Sequence, residues 1–140
     1  MGLVHADITL KNVKDIYKAE DGFLEEQEVR QETVEALVDT GAITLVINEE
    51  LRRQLGLDIM GERYATLAND ERELVKIAGP VEIHWKNRTM ICRPFVLPGD
   101  KRILLGAIPL EEMDLMVDPV RQELTGAHGD EIVTLILKVA

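Results

Sequence analysis

The chain has 140 residues, enough for one domain with a modest hydrophobic core. Its 26 acidic and 16 basic residues give a net charge of −10, which argues against nucleic-acid binding because that function needs a basic face. No apolar run approaches the roughly 18 residues of a membrane span, and no signal peptide is visible. The single cysteine, Cys92, excludes an internal disulfide and fits a reducing cytoplasm. We therefore expect one cytoplasmic domain over residues 1–140, with no membrane or nucleic-acid partner.

Alternating apolar and polar residues at the start of the chain predict a half-buried strand over residues 1–12. Between Glu20 and Glu35, seven acidic residues stand against one basic residue. Such a charge run usually marks a solvated surface, so we expect a loop around Gly22 followed by a long strand into Val34.

That strand ends in the most informative stretch of the chain, because its last apolar residues run directly into Asp39, Thr40 and Gly41. Leu37 makes the end of the strand apolar on both faces, and an unpaired charge at a buried strand end is costly. A functional role would explain the carboxylate, with Gly41 allowing close backbone approach. The simpler alternative is that Asp39 forms an ordinary Asx turn.

The following region carries signals for strands, turns and two short helices. Asn48 fits a helix N-cap and Gly56 the end of the same helix. A projecting hairpin is expected around the polar turn 69–72. The remaining predictions are listed by range: strands 43–47, 63–68, 73–78, 81–85 and 89–97, a short buried strand over 102–107, a helix over 109–116 and a β-prone C-terminal strand over 131–139. An exposed strand such as the last one tends to recruit a partner.

The order of these parts resembles the retroviral-type (retropepsin-like) aspartic proteases, and more closely their small prokaryotic single-domain branch. The resemblance rests on Asp39-Thr40-Gly41-Ala42 after a hydrophobic strand, on Leu104-Leu105-Gly106 about 65 residues later, and on a short helix after that. It implies a mostly β, half-barrel domain with one or two short helices, in which two subunits together form the active site.

The resemblance also implies roles for individual residues. Asp39 would be catalytic in an active-site loop completed by Thr40, Gly41 and Ala42, with Thr40 hydrogen-bonding across the dimer axis. Leu104, Leu105 and Gly106 would pack behind that loop. The hairpin tip would close over a bound peptide as a flap, and its members are Leu67, Ala68, Asn69 and Asp70.

The chemistry of such a site requires two carboxylates. Hydrolysis of a peptide bond by water needs a base for the water and an acid for the carbonyl oxygen and the leaving nitrogen. Two adjacent carboxylates can do both, because they share one proton. The chain has one Asp-Thr-Gly, so the second Asp39 would come from a partner copy in a homodimer. Neither a cofactor nor a metal is expected, because the three histidines are scattered along the chain.

Three functions remain open on the sequence alone. The first is an aspartic endopeptidase acting as a homodimer on peptides or unfolded protein segments. The second is a catalytically inactive peptide-binding or dimerisation module on the same fold, which the charged, glycine-free flap tip would favour. The third is a different hydrolase or a toxin-like small β protein. The acidic balance of the chain hints at neutral or basic substrate segments.

Overall fold

The computed structural model describes residues 3–98 and 102–136. Within these residues it contains eleven strands, three short α-helices and one 3₁₀ turn at Glu26–Glu28. The strands are β1 (His5–Asn12), β2 (Gln31–Val38), β3 (Leu45–Asn48), β4 (Asp58–Thr66), β5 (Arg72–Gly79), β6 (Val81–Trp85), β7 (Arg88–Cys92), β8 (Phe95–Leu97), β9 (Leu104–Leu105), β10 (Leu115–Asp118) and β11 (Glu123–Gly126). The helices are α1 (Val13–Glu20), α2 (Glu49–Leu55) and α3 (Ala107–Glu112). No helix of the described part is long and apolar enough to cross a membrane.

Nine strands form one curled sheet, a half-barrel, in the order β4-β5-β8-β3-β9-β2-β1-β6-β7. The two-residue strand β9 lies between β2 and β3, parallel to the first and antiparallel to the second. The inward face of the curl holds the core, whose largest members are almost fully buried: Ile8, Leu10, Leu45, Ile47, Leu55, Ile83 and Leu105. The expected mostly β half-barrel is therefore confirmed, with three short helices instead of one or two.

Local sequence signals explain the first two helices. Asn48 caps α2 by accepting a 2.7 Å hydrogen bond from the Leu51 N–H, and Gly56 ends that helix in the left-handed conformation at φ 65°. Both features agree with the prediction. The sequence reasoning missed α1, although Asn12 caps it in the same way by accepting from the Asp15 N–H. The helix lies between the predicted N-terminal strand and the acidic run that predicts a loop, and no element is predicted for its residues.

Three further predictions differ from the structure. The helix expected over 109–116 is α3, which ends at Glu112, and β10 follows once Asp114 takes a left-handed turn at φ 55°. The strand expected over 89–97 is interrupted at 93–94, where the chain leaves β7 beside β6 and enters β8 beside β3. The short strand expected over 102–107 is reduced to the two residues of β9.

The two strands predicted at the ends of the chain have different outcomes. The N-terminal strand is present as β1 from His5, and residues 1–2 lie outside the described part. Residues 132–136 are in no strand, and 137–139 also lie outside the described residues. Residues 132–136 therefore pair with no other strand in the single chain, and the C-terminal strand stays a prediction.

A buried carboxylate joins α1 to Arg30, the residue that precedes β2. Asp15 is 2% exposed and accepts three hydrogen bonds from Arg30, one from its backbone N–H and two from its guanidinium, at 2.8 to 3.1 Å. These bonds hold the pKa of Asp15 below its usual value. The Arg30 guanidinium also covers Gly56, where a Cβ would lie 1.8 Å from one of its nitrogens. The pair therefore connects α1, the residue before β2 and the end of α2.

We predict that Asp15→Asn lowers the free energy of unfolding at pH 7 by about 2 kcal/mol, because an amide N–H₂ would face the guanidinium in place of an acceptor. A folded-state pKa below the unfolded value gives stability that is fully present above the unfolded pKa. It is lost as pH falls through the folded pKa. Urea titrations at several pH values should show that the difference in free energy of unfolding between wild type and variant becomes smaller below about pH 4.

The matched control is Asp58→Asn, which removes an exposed ion pair with Lys14 and should change stability little. An Asp15→Asn variant as stable as the Asp58→Asn variant at pH 7 would contradict the role assigned to Asp15.

Candidate active site

Asp39 follows β2 directly and is fixed by the neighbouring strand β9. Leu37 donates a 2.8 Å hydrogen bond to the Ile103 carbonyl, and Asp39 donates one of 3.0 Å to the Leu105 carbonyl. Both are backbone bonds, so they hold whatever side chain stands at position 39. The sequence favours this placement because the apolar end of β2, Leu37 and Val38, pairs with the apolar strand β9.

The far side of the loop is held by the residues that follow β9. Ala107 donates to the Ala42 carbonyl at 2.8 Å, and Ile108 donates to the Ile43 carbonyl at 2.9 Å. Gly106 lies directly beneath the loop, where a Cβ would stand 2.4 to 2.7 Å from backbone atoms of Ala42 and Thr44. Only glycine fits this position without moving the backbone, which gives the loop-support role predicted for Gly106 a physical basis.

The carboxylate of Asp39 is oriented by its own loop. Oδ1 accepts a 2.9 Å hydrogen bond from the Gly41 N–H, and the Asp39 carbonyl accepts one of 3.1 Å from Ala42. The Asp39 side chain is half-buried and lines a cleft. Thr40 is exposed and lines two shallow grooves outside this cleft, one of which Asp39 also lines.

The cleft above Asp39 has a volume of about 760 Å³ and is roofed by the β4–β5 hairpin. Of the four predicted flap residues, Leu67, Ala68 and Asp70 line it together with Asp39, Gly41 and Ala42. Asn69 does not line the cleft, since its side chain accepts a 3.1 Å hydrogen bond from the Glu71 N–H. Of the predicted support residues, Leu104 lines the cleft and Leu105 is buried in the core.

The hairpin tip forms a tight turn without glycine. Leu67 donates to the Glu71 carbonyl at 2.8 Å, and Asp70 donates to the Leu67 carbonyl at 2.9 Å. Asp70 occupies the left-handed position at φ 65°, which an aspartate tolerates better than most residues. The charged sequence at the tip therefore still closes a regular turn.

Sequence reasoning missed most of the cleft wall. The wall is largely apolar or aromatic and includes Ile43, Val46, Tyr64, Val75, Phe95 and Leu97. Among the described residues that line the cleft, the one cation is Arg63 on β4, whose guanidinium carbon lies 5.7 Å from the centre of the Phe95 ring. The only signal in the sequence was the hairpin pattern itself, which places β4 over the motif but does not show which side chains face inward.

Several other titratable side chains have partners outside the cleft or are buried. Within residues 3–98 and 102–136, no group of histidine, cysteine and carboxylate side chains is arranged to hold a metal ion. His84 contacts Glu82, and His128 contacts Asp114 through Nδ1 at 2.8 Å. Burial raises the pKa of Cys92 to about 12, so this thiol stays protonated and is a poor nucleophile at neutral pH. Of the described carboxylates, Asp39 and Asp70 line the cleft, and Asp39 is the one held in the loop beneath the hairpin.

Comparison with known proteins agrees with this geometry. A family model described as aspartyl protease matches residues 26–107, more than half of the chain. The chain therefore belongs to the aspartyl protease family. A solved structure described as the retroviral protease-like domain of Ddi1 from Leishmania major matches with a TM-score of 0.57 at 15% identity, covering 96% of this chain and 94% of that chain. This likeness shows a retropepsin-like fold over nearly the whole chain. No curated protein matches the sequence.

We predict that Gly106→Ala lowers the free energy of unfolding by about 3 kcal/mol, because the new methyl group would overlap backbone on both sides of the loop. Gly61→Ala is the matched control, since a Cβ at that position meets nothing within 4 Å. Both variants are compared with wild type by urea denaturation. An unchanged urea midpoint for Gly106→Ala would contradict this prediction, because it would mean that the loop backbone moves away from the new methyl group without cost.

Proposed function

We propose that the chain is an aspartic endopeptidase, active as a homodimer in which two Asp39 carboxylates, one from each copy, activate a water molecule. The observation that carries this proposal is the position of Asp39. Its carboxylate lies at the floor of a peptide-sized cleft, is oriented by the Gly41 N–H, and is covered by a hairpin that can close over a substrate. Membership of the aspartyl protease family supports the same conclusion.

The mechanism follows from placing two carboxylates next to each other. Two like charges so close cannot both ionise, so the pair shares one proton and titrates as a unit. The ionised member takes a proton from water as the water attacks the peptide carbonyl carbon. The protonated member donates its proton to the carbonyl oxygen, and collapse of the tetrahedral intermediate passes a proton to the leaving nitrogen. Activity should therefore fall at both high and low pH.

A homodimer is needed because each chain carries one Asp-Thr-Gly. The partner surface we propose lies around Thr40, where the two shallow grooves open beside β10 and the N-terminal residues. A two-fold axis near Thr40 would bring the two Asp39 loops together and would bury the same patch on both copies.

The C-terminal segment is well placed to extend that interface. Its root is fixed, because the buried Arg88 donates to the Gly129 carbonyl at 2.8 Å and to the Glu131 carbonyl at 3.2 Å. Asp114, which lines a groove together with Thr40, accepts a 3.0 Å hydrogen bond from the Val133 N–H. Beyond that point Leu135 is 77% exposed and Ile136 is 91% exposed. We propose that the partner copy covers these side chains.

The first test compares wild type with Asp39→Asn on unfolded casein across a range of pH. Asparagine keeps the shape of the side chain but cannot act as the base, so cleavage should fall at least about a hundredfold. A statine-type inhibitor, which mimics the tetrahedral intermediate, should block the wild type. Asp7→Asn, on the exposed face of β1, is the matched control and should cleave normally.

Cleavage that survives in Asp39→Asn would overturn the proposed mechanism. A dimer that binds casein but does not cleave it at any pH would favour the inactive peptide-binding module on the same fold.

The second test removes the C-terminal segment after Glu131. The shortened chain should remain folded because Leu124 is the last buried apolar residue in the described part of the chain, but its dimer dissociation constant should rise by at least about tenfold. Its specific activity should then recover as enzyme concentration is raised, which a folding defect would not produce. Sedimentation velocity over a concentration series measures the dissociation constant.

Phe23→Ser is the control for this test, since Phe23 is also highly exposed but lies in the loop after α1. A shortened chain that dimerises as tightly as wild type would exclude the C-terminal segment from the interface.

A further inference from the structure

The cleft over Asp39 is unevenly charged along its length. Among the side chains that line it, the charged ones are Asp39 at the floor, Asp70 at the hairpin tip and Arg63 on β4. Every other described residue that lines the cleft is neutral. Arg63 therefore stands out as a local positive charge in the cleft of a chain whose net charge is −10.

The Arg63 guanidinium is held on one face and open at its edge. Its carbon lies 5.7 Å from the centre of the Phe95 ring, which is within the range of a cation–π contact. Within the described residues it makes no ion pair with a carboxylate, whereas Arg30 binds Asp15 and Arg52 binds Glu49. A guanidinium that contacts a ring at this distance keeps its N–H donors free for a planar acceptor.

Asp70 lies at the tip of the hairpin, several residues along it from Arg63. Arg63 pairs with Val75 within the hairpin, whereas Asp70 lies in the turn that begins at Leu67. At about 3.3 Å per residue, the strand from Arg63 to Leu67 alone spans roughly 13 Å. The two side chains form no ion pair within the described residues.

We propose that Arg63 selects a peptide with an acidic side chain at the subsite between Phe95 and β4. This inference rests on the proposed function and names the substrate class. The apolar stem of a substrate Glu or Asp packs on Phe95 and Leu97, and its carboxylate accepts from the open edge of the guanidinium. The net charge of −10 of the protein still favours neutral or basic residues in the rest of the peptide. The preferred substrate therefore combines one acidic residue with otherwise neutral or basic residues.

The test uses pairs of fluorogenic peptides that differ only by Glu or Gln at one position, with the pair moved stepwise across the scissile bond. At one position wild type should cleave the Glu peptide about fivefold more efficiently in kcat/KM, a modest gain because the guanidinium is solvent-exposed. Arg63→Gln should lose this preference while still cleaving the Gln peptides. Arg63→Glu should reverse it in favour of a Lys peptide.

The matched control is Arg72→Gln. Arg72 is the neighbouring hairpin arginine, stacks on Tyr64 at 4.8 Å and does not line the cleft. This variant should keep the preference for Glu. If Arg72→Gln loses the preference as Arg63→Gln does, the effect reflects the general charge of the hairpin, and the proposal is overturned.

Failure of this inference can be separated from failure of the proposed function. If the peptides are cleaved but no position distinguishes Glu from Gln, the selectivity assigned to Arg63 is wrong and the peptidase stands. If nothing is cleaved, the same peptides are titrated against Asp39→Asn by fluorescence anisotropy. Tighter binding of the Glu peptide that disappears with Arg63→Gln supports the inference without catalysis, and equal binding overturns it.

Discussion

Insertion of β9 between β2 and β3 is the constraint on which the candidate site depends. These two strands are joined by the Asp39 loop, yet they do not pair with each other, because β9 takes a hydrogen-bonding edge of each. The loop is thereby held open and supported from below, and Gly106 is the point at which the supporting chain passes under it. Asp39 acquires its fixed position from residues about 65 positions away, so the site exists only once the central sheet has formed.

Features encoded by neighbouring residues were predictable from the sequence. The N-cap at Asn48 and the left-handed end at Gly56 depend on interactions within one or two turns of helix, and both were found as expected. The Asp39 motif was identifiable because a carboxylate at the end of a doubly apolar strand conflicts with ordinary core packing. A local conflict of this kind is often the signature of a functional site.

Features set by distant contacts were not predictable in the same way. The α1 helix carries a capping signal at Asn12, but the contact between its Asp15 and Arg30 is visible only in three dimensions. The cleft wall was missed for a related reason. β4 projects from the sheet and is largely exposed on both faces, so it lacks the apolar alternation that would show Arg63 facing inward.

Charge and apolar surface act in opposite directions on the proposed homodimer. Two copies with a net charge of −10 each repel one another, and this repulsion weakens as salt screens it. Exposed apolar side chains at the proposed interface, among them Leu3, Met116 and Ile136, provide surface whose burial would offset that repulsion. In the proposed homodimer the two Asp39 carboxylates are adjacent only while the two copies are associated. The protein concentration and the ionic strength would then govern activity, in addition to the chemistry of Asp39 itself.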